Sequence, residues 1–208
     1  MKGLLLKDWY MMKKYCRSYL LIAVVFLAVS LFSNDNLFFV FYPCLLCGMI
    51  PVNLLGYDER SRWMQYSGTM PYTRKQIVSA KYLIGLFAQA AVLLVTAIAQ
   101  GLKMAMTGAF VLGEFVVLIL LLLTMAAVTS SISLPFIFKL GVEKGRMAYY
   151  IMVGFACAAS ILAANYFGDA VSVEIQPGFI LAVFAACGVC GYALSWHLSI
   201  VFFEKREL

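Results

Sequence analysis

Long apolar segments alternate with short charged segments along this chain. A transmembrane helix needs about 20 apolar residues to cross about 30 Å of hydrocarbon. The apolar runs are continuous, without the period of two typical of membrane β-barrels, so they favour helices. The pattern predicts six spans, at Tyr19–Phe32, Leu37–Tyr57, Tyr82–Gln100, Phe115–Phe138, Ala148–Phe167 and Gly178–Phe203. We therefore expect an all-α polytopic membrane protein with six transmembrane helices.

Composition agrees with this pattern. The hydrophobic fraction is 64% and the charged fraction 12%, whereas soluble domains are about half apolar and about a quarter charged. A soluble globular domain is excluded, and so is a disordered chain, which needs low hydrophobicity and high charge. We expect a single transmembrane domain over residues 1–208.

The distribution of positive charge predicts the orientation, because Lys and Arg collect in short cytoplasmic loops. With the N-terminus inside, all 16 Lys and Arg residues except Lys103 fall in cytoplasmic segments. Both termini are then expected to be cytoplasmic, and no cleavable signal peptide is expected. The formal charge of +6 follows from this topology, so no nucleic-acid partner is needed, and anionic lipid is a natural neighbour.

The first 18 residues have the pattern of an amphipathic helix before the first span. Lys13 and Arg17 belong to a basic face, and Leu5, Trp9 and Met12 to an apolar face that Asp8 interrupts. Such a helix lies in the membrane interface. It is either a membrane anchor or an elbow helix that also contacts a cytoplasmic partner, and periodicity alone favours the anchor.

The loop at residues 58–72 mixes charge with aromatic side chains. This mixture is typical of a protein-binding surface, although a solvated positive loop with interfacial aromatics is an alternative. We expect a short cytoplasmic helix over residues 58–66 and then a turn. Thr73 and Gln76 have capping-box spacing, so a new helix should begin at Thr73. The candidate partner-binding residues are Asp58, Glu59, Arg60, Arg62, Trp63, Met64 and Tyr66.

The loop at residues 139–147 follows the fourth span. Pro135 should kink or end that span, and Gly141 and Gly145 allow a tight return. A plain turn between antiparallel helices does not explain the packed charge of this loop. Its candidate partner-binding residues are Lys139, Glu143, Lys144 and Arg146.

Three stretches carry a resemblance to the permease subunits of ABC-2 type exporters, of the small six-span kind found in Gram-positive bacteria. They are Met1–Asp8, the run from Asp58 through Met70–Val78 to Ala80–Tyr82, and Leu134–Phe136 followed by Lys139–Arg146. The chain is also similar to permeases of exporters for peptide toxins of the phenol-soluble-modulin type.

The resemblance implies roles for these stretches. The segment from Asp58 to Tyr66 would be the coupling helix, Lys139–Arg146 a second ATPase contact, and the amphipathic start the connecting helix. It also implies two copies of an ATP-binding subunit, which hold the ATP and Mg²⁺, and a second permease copy that forms a homodimer.

The chain has no phosphate-binding loop of its own, so it is not an ATPase and needs a partner. The predicted spans contain no Asp, Glu, Lys or Arg in their interiors, which argues against ion coupling. An apolar interior favours amphipathic or hydrophobic cargo such as peptides.

Catalytic, metal and cofactor sites are not expected. Asp58 and Glu59 are adjacent and point apart on a helix, so they do not form a catalytic pair. The pairs Cys44/Cys47 and Cys187/Cys190 lie in apolar spans, where thiols act as small apolar groups. The alternatives to an exporter permease are a non-transporting membrane partner or immunity subunit and an integral membrane enzyme.

Overall fold

The computed structural model describes residues 2–32, 37–67, 69–108, 111–147, 150–151, 154 and 177–205. The regular secondary structure of these residues is helical. The longer helices are α1 Lys2–Tyr15, α2 Arg17–Phe32, α3 Leu37–Gly48, α4 Ile50–Arg60, α5 Trp63–Ser67, α6 Arg74–Met106, α7 Leu112–Leu140 and α8 Pro177–Lys205. Residues 142–147 are also helical.

Four helical segments in the described part of the chain are long and apolar enough to cross a membrane. They are Phe38–Arg60, Arg74–Met106, Leu112–Leu140 and Val183–Lys205. A fifth is added if α1 and α2, which meet at a bend of 65°, count as one broken span. By itself α2 has 16 residues and is about 24 Å long, which is short for a bilayer. The predicted span Ala148–Phe167 lies outside the described residues, apart from 150, 151 and 154.

The second predicted span is broken at Met49 and ends later than expected. Pro51, which lacks a backbone N–H, lies in the first turn of α4, where a proline is tolerated. The helix then continues to Arg60, so Asp58, Glu59 and Arg60 belong to its last turn. The prediction of a separate helix over residues 58–66 is therefore wrong in its bounds. The short helix is α5, which begins at Trp63 after a turn at residues 61–62, where Arg62 has φ 53°.

The predicted helix start at Thr73 is confirmed. Thr73 Oγ1 accepts a hydrogen bond from the Gln76 N–H at 3.3 Å, and the Thr73 N–H donates to Gln76 Oε1 at 3.3 Å. This capping box begins α6, which has 33 residues and is about 50 Å long.

Helix α7 continues past Pro135 to Leu140, and Gly141 caps its C-terminus. Pro135 therefore does not end the helix. Gly141 has φ 88°, a conformation that favours glycine. After this turn the chain passes so close to α7 that a Cβ at Gly145 would lie 2.7 Å from the Ile137 Cα. The tight return predicted from the two glycines is therefore present.

The small residues of α8 let it approach α7. A Cβ at Gly188 would lie 3.4 Å from the Ala127 Cβ, and one at Gly191 would lie 3.5 Å from the Ser131 Oγ. These two glycines therefore allow α7 and α8 to pack closely.

Among the described residues, the largest group of buried apolar side chains lies where α1, α4, α6, α7 and α8 meet. We call this region the loop end. Its core consists of Leu4, Val52, Leu55, Ile77, Val78, Ala80, Tyr82, Leu134, Ile137, Phe138, Val142 and Phe203.

Candidate partner interface and buried charge cluster

Helix α1 packs against the bundle through one stripe of side chains. Leu4, Asp8 and Met12 are spaced four residues apart and all three are buried, as expected for neighbours on one helix face. Leu4 joins the loop-end core. Met12 packs in a second cluster with Ile84 of α6. The apolar face that the sequence assigned to the membrane interface is thus largely occupied by protein.

The remaining elbow residues flank this stripe. Leu5 is half-buried against the loop-end core, and the Trp9 ring meets that of Phe87 edge to face at 6.2 Å. Lys13 and Arg17 are exposed. The Lys13 Nζ lies 5.3 Å from the centre of the Trp9 ring, so these two basic side chains lie on the outer side of α1.

Four charged side chains form a cluster beneath α1, which we call the buried charge cluster. Its members are Lys7, Asp8, Asp58 and Lys81. The Lys81 Nζ donates to Asp8 Oδ1 at 2.7 Å and lies 2.5 Å from Asp58 Oδ2 as an ion pair. The Lys7 Nζ donates to Asp58 Oδ1 at 2.8 Å and lies 3.3 Å from Asp8 Oδ1. The cluster therefore joins α1 to the end of α4 and the beginning of α6.

The charges in this cluster balance. Asp8, Asp58 and Lys81 are each only 1% exposed, and Lys7 is partly exposed. A buried charge is tolerated only when it is paired and hydrogen-bonded, and removing one partner of a buried pair costs about 3–5 kcal/mol. The two lysines and two aspartates meet this condition together, so each depends on the others.

A cation–π contact links the cluster to α5. The Lys7 Nζ lies 3.4 Å from the centre of the Trp63 ring, well inside the distance at which such a contact is attractive. Lys7 therefore touches both the last turn of α4, through Asp58, and the first residue of α5.

A cleft lies beside the cluster, between the last turns of α4 and the segment after α7. Glu59 Oε2 accepts a hydrogen bond from the Val142 N–H at 2.8 Å. The Arg146 Nη2 donates to Asn53 Oδ1 at 3.0 Å. The cleft has a volume of about 520 Å³ and is lined by Asn53, Gly56, Tyr57, Glu59, Arg60, Leu140, Gly141, Val142, Glu143, Lys144 and Arg146. The two charged loops predicted from the sequence thus share one surface.

Residues 3–204 match the family model described as ABC-2 family transporter protein. The chain belongs to the ABC-2 transporter family. This ABC-2 protein is a multi-pass membrane subunit without an ATPase domain, and its family implies a separate ATPase partner. Neither a curated protein nor a solved structure matches the chain significantly.

The predicted partner-binding residues of this ABC-2 permease do not all lie on one surface. Five of them line the cleft, namely Glu59, Arg60, Glu143, Lys144 and Arg146. Asp58 faces inward instead and is buried in the charge cluster, so its carboxylate is not part of an exposed surface.

The other predicted residues lie around the cleft or apart from it. Arg62 is exposed, Trp63 is half-buried against Lys7, and Tyr66 is 60% exposed. The Lys139 Nζ lies 5.1 Å from the centre of the Phe202 ring, against α8. The side chain of Met64 lies outside the described part of the chain.

Sequence reasoning missed the buried charge cluster. Asp8 was noted as an interruption of the apolar face of α1, and Lys81 was counted among the loop charges. The available signal was spacing along a helix face. Asp8 lies four residues from both Leu4 and Met12, and Lys81 lies four residues after Ile77 and three before Ile84, so each charge sits within an otherwise apolar face. Asn53, a polar residue inside the second predicted span, was also missed, and it accepts a hydrogen bond from Arg146 at the cleft.

A polar network fastens the start of α6 to the end of α8. The Tyr82 hydroxyl lies 2.8 Å from Ser195 Oγ and 2.7 Å from Ser199 Oγ. The Trp196 Nε1 donates to Ser79 Oγ at 3.1 Å. The Arg74 Nη1 donates to the Glu204 carbonyl oxygen at 2.8 Å, a favourable place for a cation because carbonyls are unpaired at a helix C-terminus.

The paired cysteines do not form one site. Cys44 and Cys47 are buried, whereas Cys187 and Cys190 are exposed. Within the described part of the chain, no group of three or more His, Cys, Asp or Glu side chains is arranged to hold a metal ion.

Proposed function

We propose that this chain is the membrane-spanning permease of an ABC exporter that carries amphipathic or hydrophobic cargo, such as peptides, out of a bacterial cell. A separate ATPase, present in two copies and holding ATP and Mg²⁺, binds the loop end from the cytoplasm. The permease then lies in the bacterial plasma membrane with both termini facing the cytoplasm, the orientation that the distribution of Lys and Arg favours.

The observation that carries this proposal is the convergence of the two charged loops on the cleft. The Glu59–Val142 and Arg146–Asn53 hydrogen bonds hold the last turn of α4 against the segment after α7. A partner docked there would contact both loops at once, so its movement would act on the second and fourth predicted spans together. Interfaces need charged and aromatic groups that remain accessible, which Arg60, Lys144 and Tyr66 are.

The placement of the buried charges supports an apolar or amphipathic cargo. Among the described residues, the buried charged side chains are Asp8, Asp58 and Lys81, and all three meet at the loop end. No Asp, Glu, Lys or Arg lies between Tyr82 and Leu102 of α6 or between Phe115 and Phe138 of α7. A hydrophilic solute would need polar or charged groups along its whole path. The buried charges are gathered at the loop end and do not continue along α6 and α7, so they do not provide such a path.

A second copy of the permease completes the proposed transporter. Apolar side chains are exposed along α8, among them Phe184, Leu194 and Leu198. Such a face suits lipid or a second bundle, and the resemblance to ABC-2 exporters favours a homodimer with two ATPases.

The test of partner binding is co-expression with an ABC ATPase from the same gene neighbourhood, followed by purification through a tag on the permease. We expect Arg60→Glu and Lys144→Glu to reduce ATPase recovery by about tenfold or more, because close like-charge contacts cost several kcal/mol. Lys75→Glu is the matched control, since Lys75 is an exposed lysine at the same end and does not line the cleft. Equal recovery with all three variants would contradict docking at the cleft.

The test of cargo uses the purified complex in lipid nanodiscs. An amphipathic helical peptide should stimulate ATP hydrolysis, whereas a scrambled hydrophilic peptide of the same length should not. A complex that assembles and hydrolyses ATP at one rate with either peptide would instead favour the non-transporting membrane partner.

A further inference from the structure

We propose that the buried charge cluster is a separable latch between α1 and the α4–α6 pair. The proposal concerns the boundary that runs through the cluster. Lys7 and Asp8 belong to α1, whereas Asp58 belongs to α4 and Lys81 to α6. Each side of the boundary therefore carries one positive and one negative charge.

The distances show two sets of ion pairs. Two pairs cross the boundary, Lys7–Asp58 at 2.8 Å and Lys81–Asp8 at 2.7 Å. Two further pairs stay on one side of it, Lys7–Asp8 at 3.3 Å and Asp58–Lys81 at 2.5 Å. When α1 moves away, the crossing pairs break and the same-side pairs remain.

This arrangement changes the cost of separation. Breaking an ordinary buried ion pair is expensive because it leaves a charge without a partner in a dry environment. Here Lys7 stays paired with Asp8 on α1, and Asp58 stays paired with Lys81 on α4 and α6. Separation therefore leaves no charge without a partner. The cluster thus fixes the docked position of α1 by the geometry of its crossing pairs, and it still allows α1 to leave.

The rest of α1 is consistent with such a movement. Its buried side chains are Leu4, Asp8 and Met12, which is a narrow contact for a helix of 14 residues. The 65° bend at Cys16 gives α1 a fixed end about which to turn. Lys7 also contacts Trp63 of α5, so a movement of α5 reaches the latch directly. The use of this movement in transport rests on the proposed function, whereas the latch itself does not.

Four double substitutions test the latch, and each leaves the cluster electrically neutral. Lys7→Met with Asp8→Asn, and Asp58→Asn with Lys81→Met, remove both crossing pairs and keep one same-side pair. Lys7→Met with Asp58→Asn, and Asp8→Asn with Lys81→Met, keep one crossing pair. Every variant loses one lysine and one aspartate, so net charge is matched throughout. The two variants that lose Lys7 are compared with each other, and so are the two that lose Lys81, because Lys7 is 25% exposed and Lys81 only 1%; Asp8 and Asp58 are equally buried.

The measurement is hydrogen–deuterium exchange of the full-length chain alone in nanodiscs, read in peptides from α1. We expect the first two variants to speed exchange in α1 by about tenfold or more, because local opening controls exchange. The other two should stay within about threefold of the wild type. Peptides from the middle of α6 serve as the internal control. Equal acceleration in all four variants, or none in any, would overturn the latch.

If the variants do not fold, the wild-type chain decides the question. The latch predicts that α1 exchanges as a unit while the start of α6, which is equally buried, stays protected. Exchange of both segments only at the rate of global unfolding would overturn it. The exchange experiment contains no ATPase, so it tests the latch alone. The proposed function is tested separately by ATPase recovery, and either proposal can fail without the other.

Discussion

The buried charge cluster and the cleft lie side by side at the loop end, and two consecutive residues of α4, Asp58 and Glu59, each belong to one of them. Asp58 is 1% exposed and joins the buried charge cluster. Glu59 is exposed and reaches across the cleft to the Val142 N–H. Successive side chains point about 100° apart around a helix, so the same turn contributes to the interior and to the surface.

The difference shows that charge alone does not identify a partner surface. The cluster is closed, since its lysines and aspartates satisfy one another inside the protein. The cleft is open, and its Arg60, Glu143 and Lys144 are exposed. Because both assemblies share the last turn of α4, a partner that moves the cleft also displaces Asp58 and, through it, Lys7 and Lys81.

The largest effect should separate these two neighbours. Asp58→Asn leaves the two lysines facing one aspartate in a buried site, and we expect it to lower the free energy of unfolding by about 3–5 kcal/mol. Glu59→Gln keeps an oxygen that accepts from Val142, so its effect should stay near about 1 kcal/mol. Thermal unfolding of the purified chain in detergent measures both. Similar losses for the two variants would show that the distinction between closed and open assemblies is wrong.

A smaller effect should come from the packing of the segment after α7, whose residues on either side of Gly145 line the cleft. Gly145→Ala places a Cβ 2.7 Å from the Ile137 Cα, so the segment after α7 must move away from that helix. Overpacking of this kind costs about 1–3 kcal/mol and should also weaken the ATPase recovery proposed above. Gly113→Ala is the control, since nothing lies within 4 Å of its added Cβ. The contact would be shown to be unimportant if both variants unfolded at the wild-type temperature.

The smallest effect should come from an ion pair outside both assemblies. The Lys75 Nζ lies 3.9 Å from Glu204 Oε1, and the two side chains are 67% and 43% exposed. Exposed pairs of this kind contribute little, so Lys75→Ala should change the free energy of unfolding by less than about 0.5 kcal/mol. A loss comparable to that of Asp58→Asn, measured by the same thermal unfolding, would mean that exposure does not separate the two kinds of pair.

The sequence predicted the elements with local signals. Thr73 and Gln76 specify a capping box through side chains three residues apart, and the structure contains it. Gly141 and Gly145 predicted a tight return after the fourth predicted span, and the structure contains it. Continuous apolar runs likewise predicted an all-helical chain, although the described residues contain four or five candidate spans and not six.

The burial of Asp8 and Asp58 was not predicted, because helical periodicity shows which side chains share a face and not what that face contacts. Asp8 is buried only because Lys81, 73 residues later, lies opposite it. The end of α4 was misplaced for a similar reason. Charged residues at 58–60 indicated a loop, yet the pairing of Asp58 with Lys7 and Lys81 makes three more helical residues favourable.

Helix α6, with its 33 residues, is about 20 Å longer than the hydrocarbon core of a bilayer. A uniformly apolar rod of that length has no preferred height in the membrane. Lys81, the eighth residue of α6, supplies one, because sliding it into hydrocarbon would separate it from its buried partners Asp8 and Asp58 at a steep cost. The paired charges that hold α1 in place thus also act as a depth stop for the longest helix.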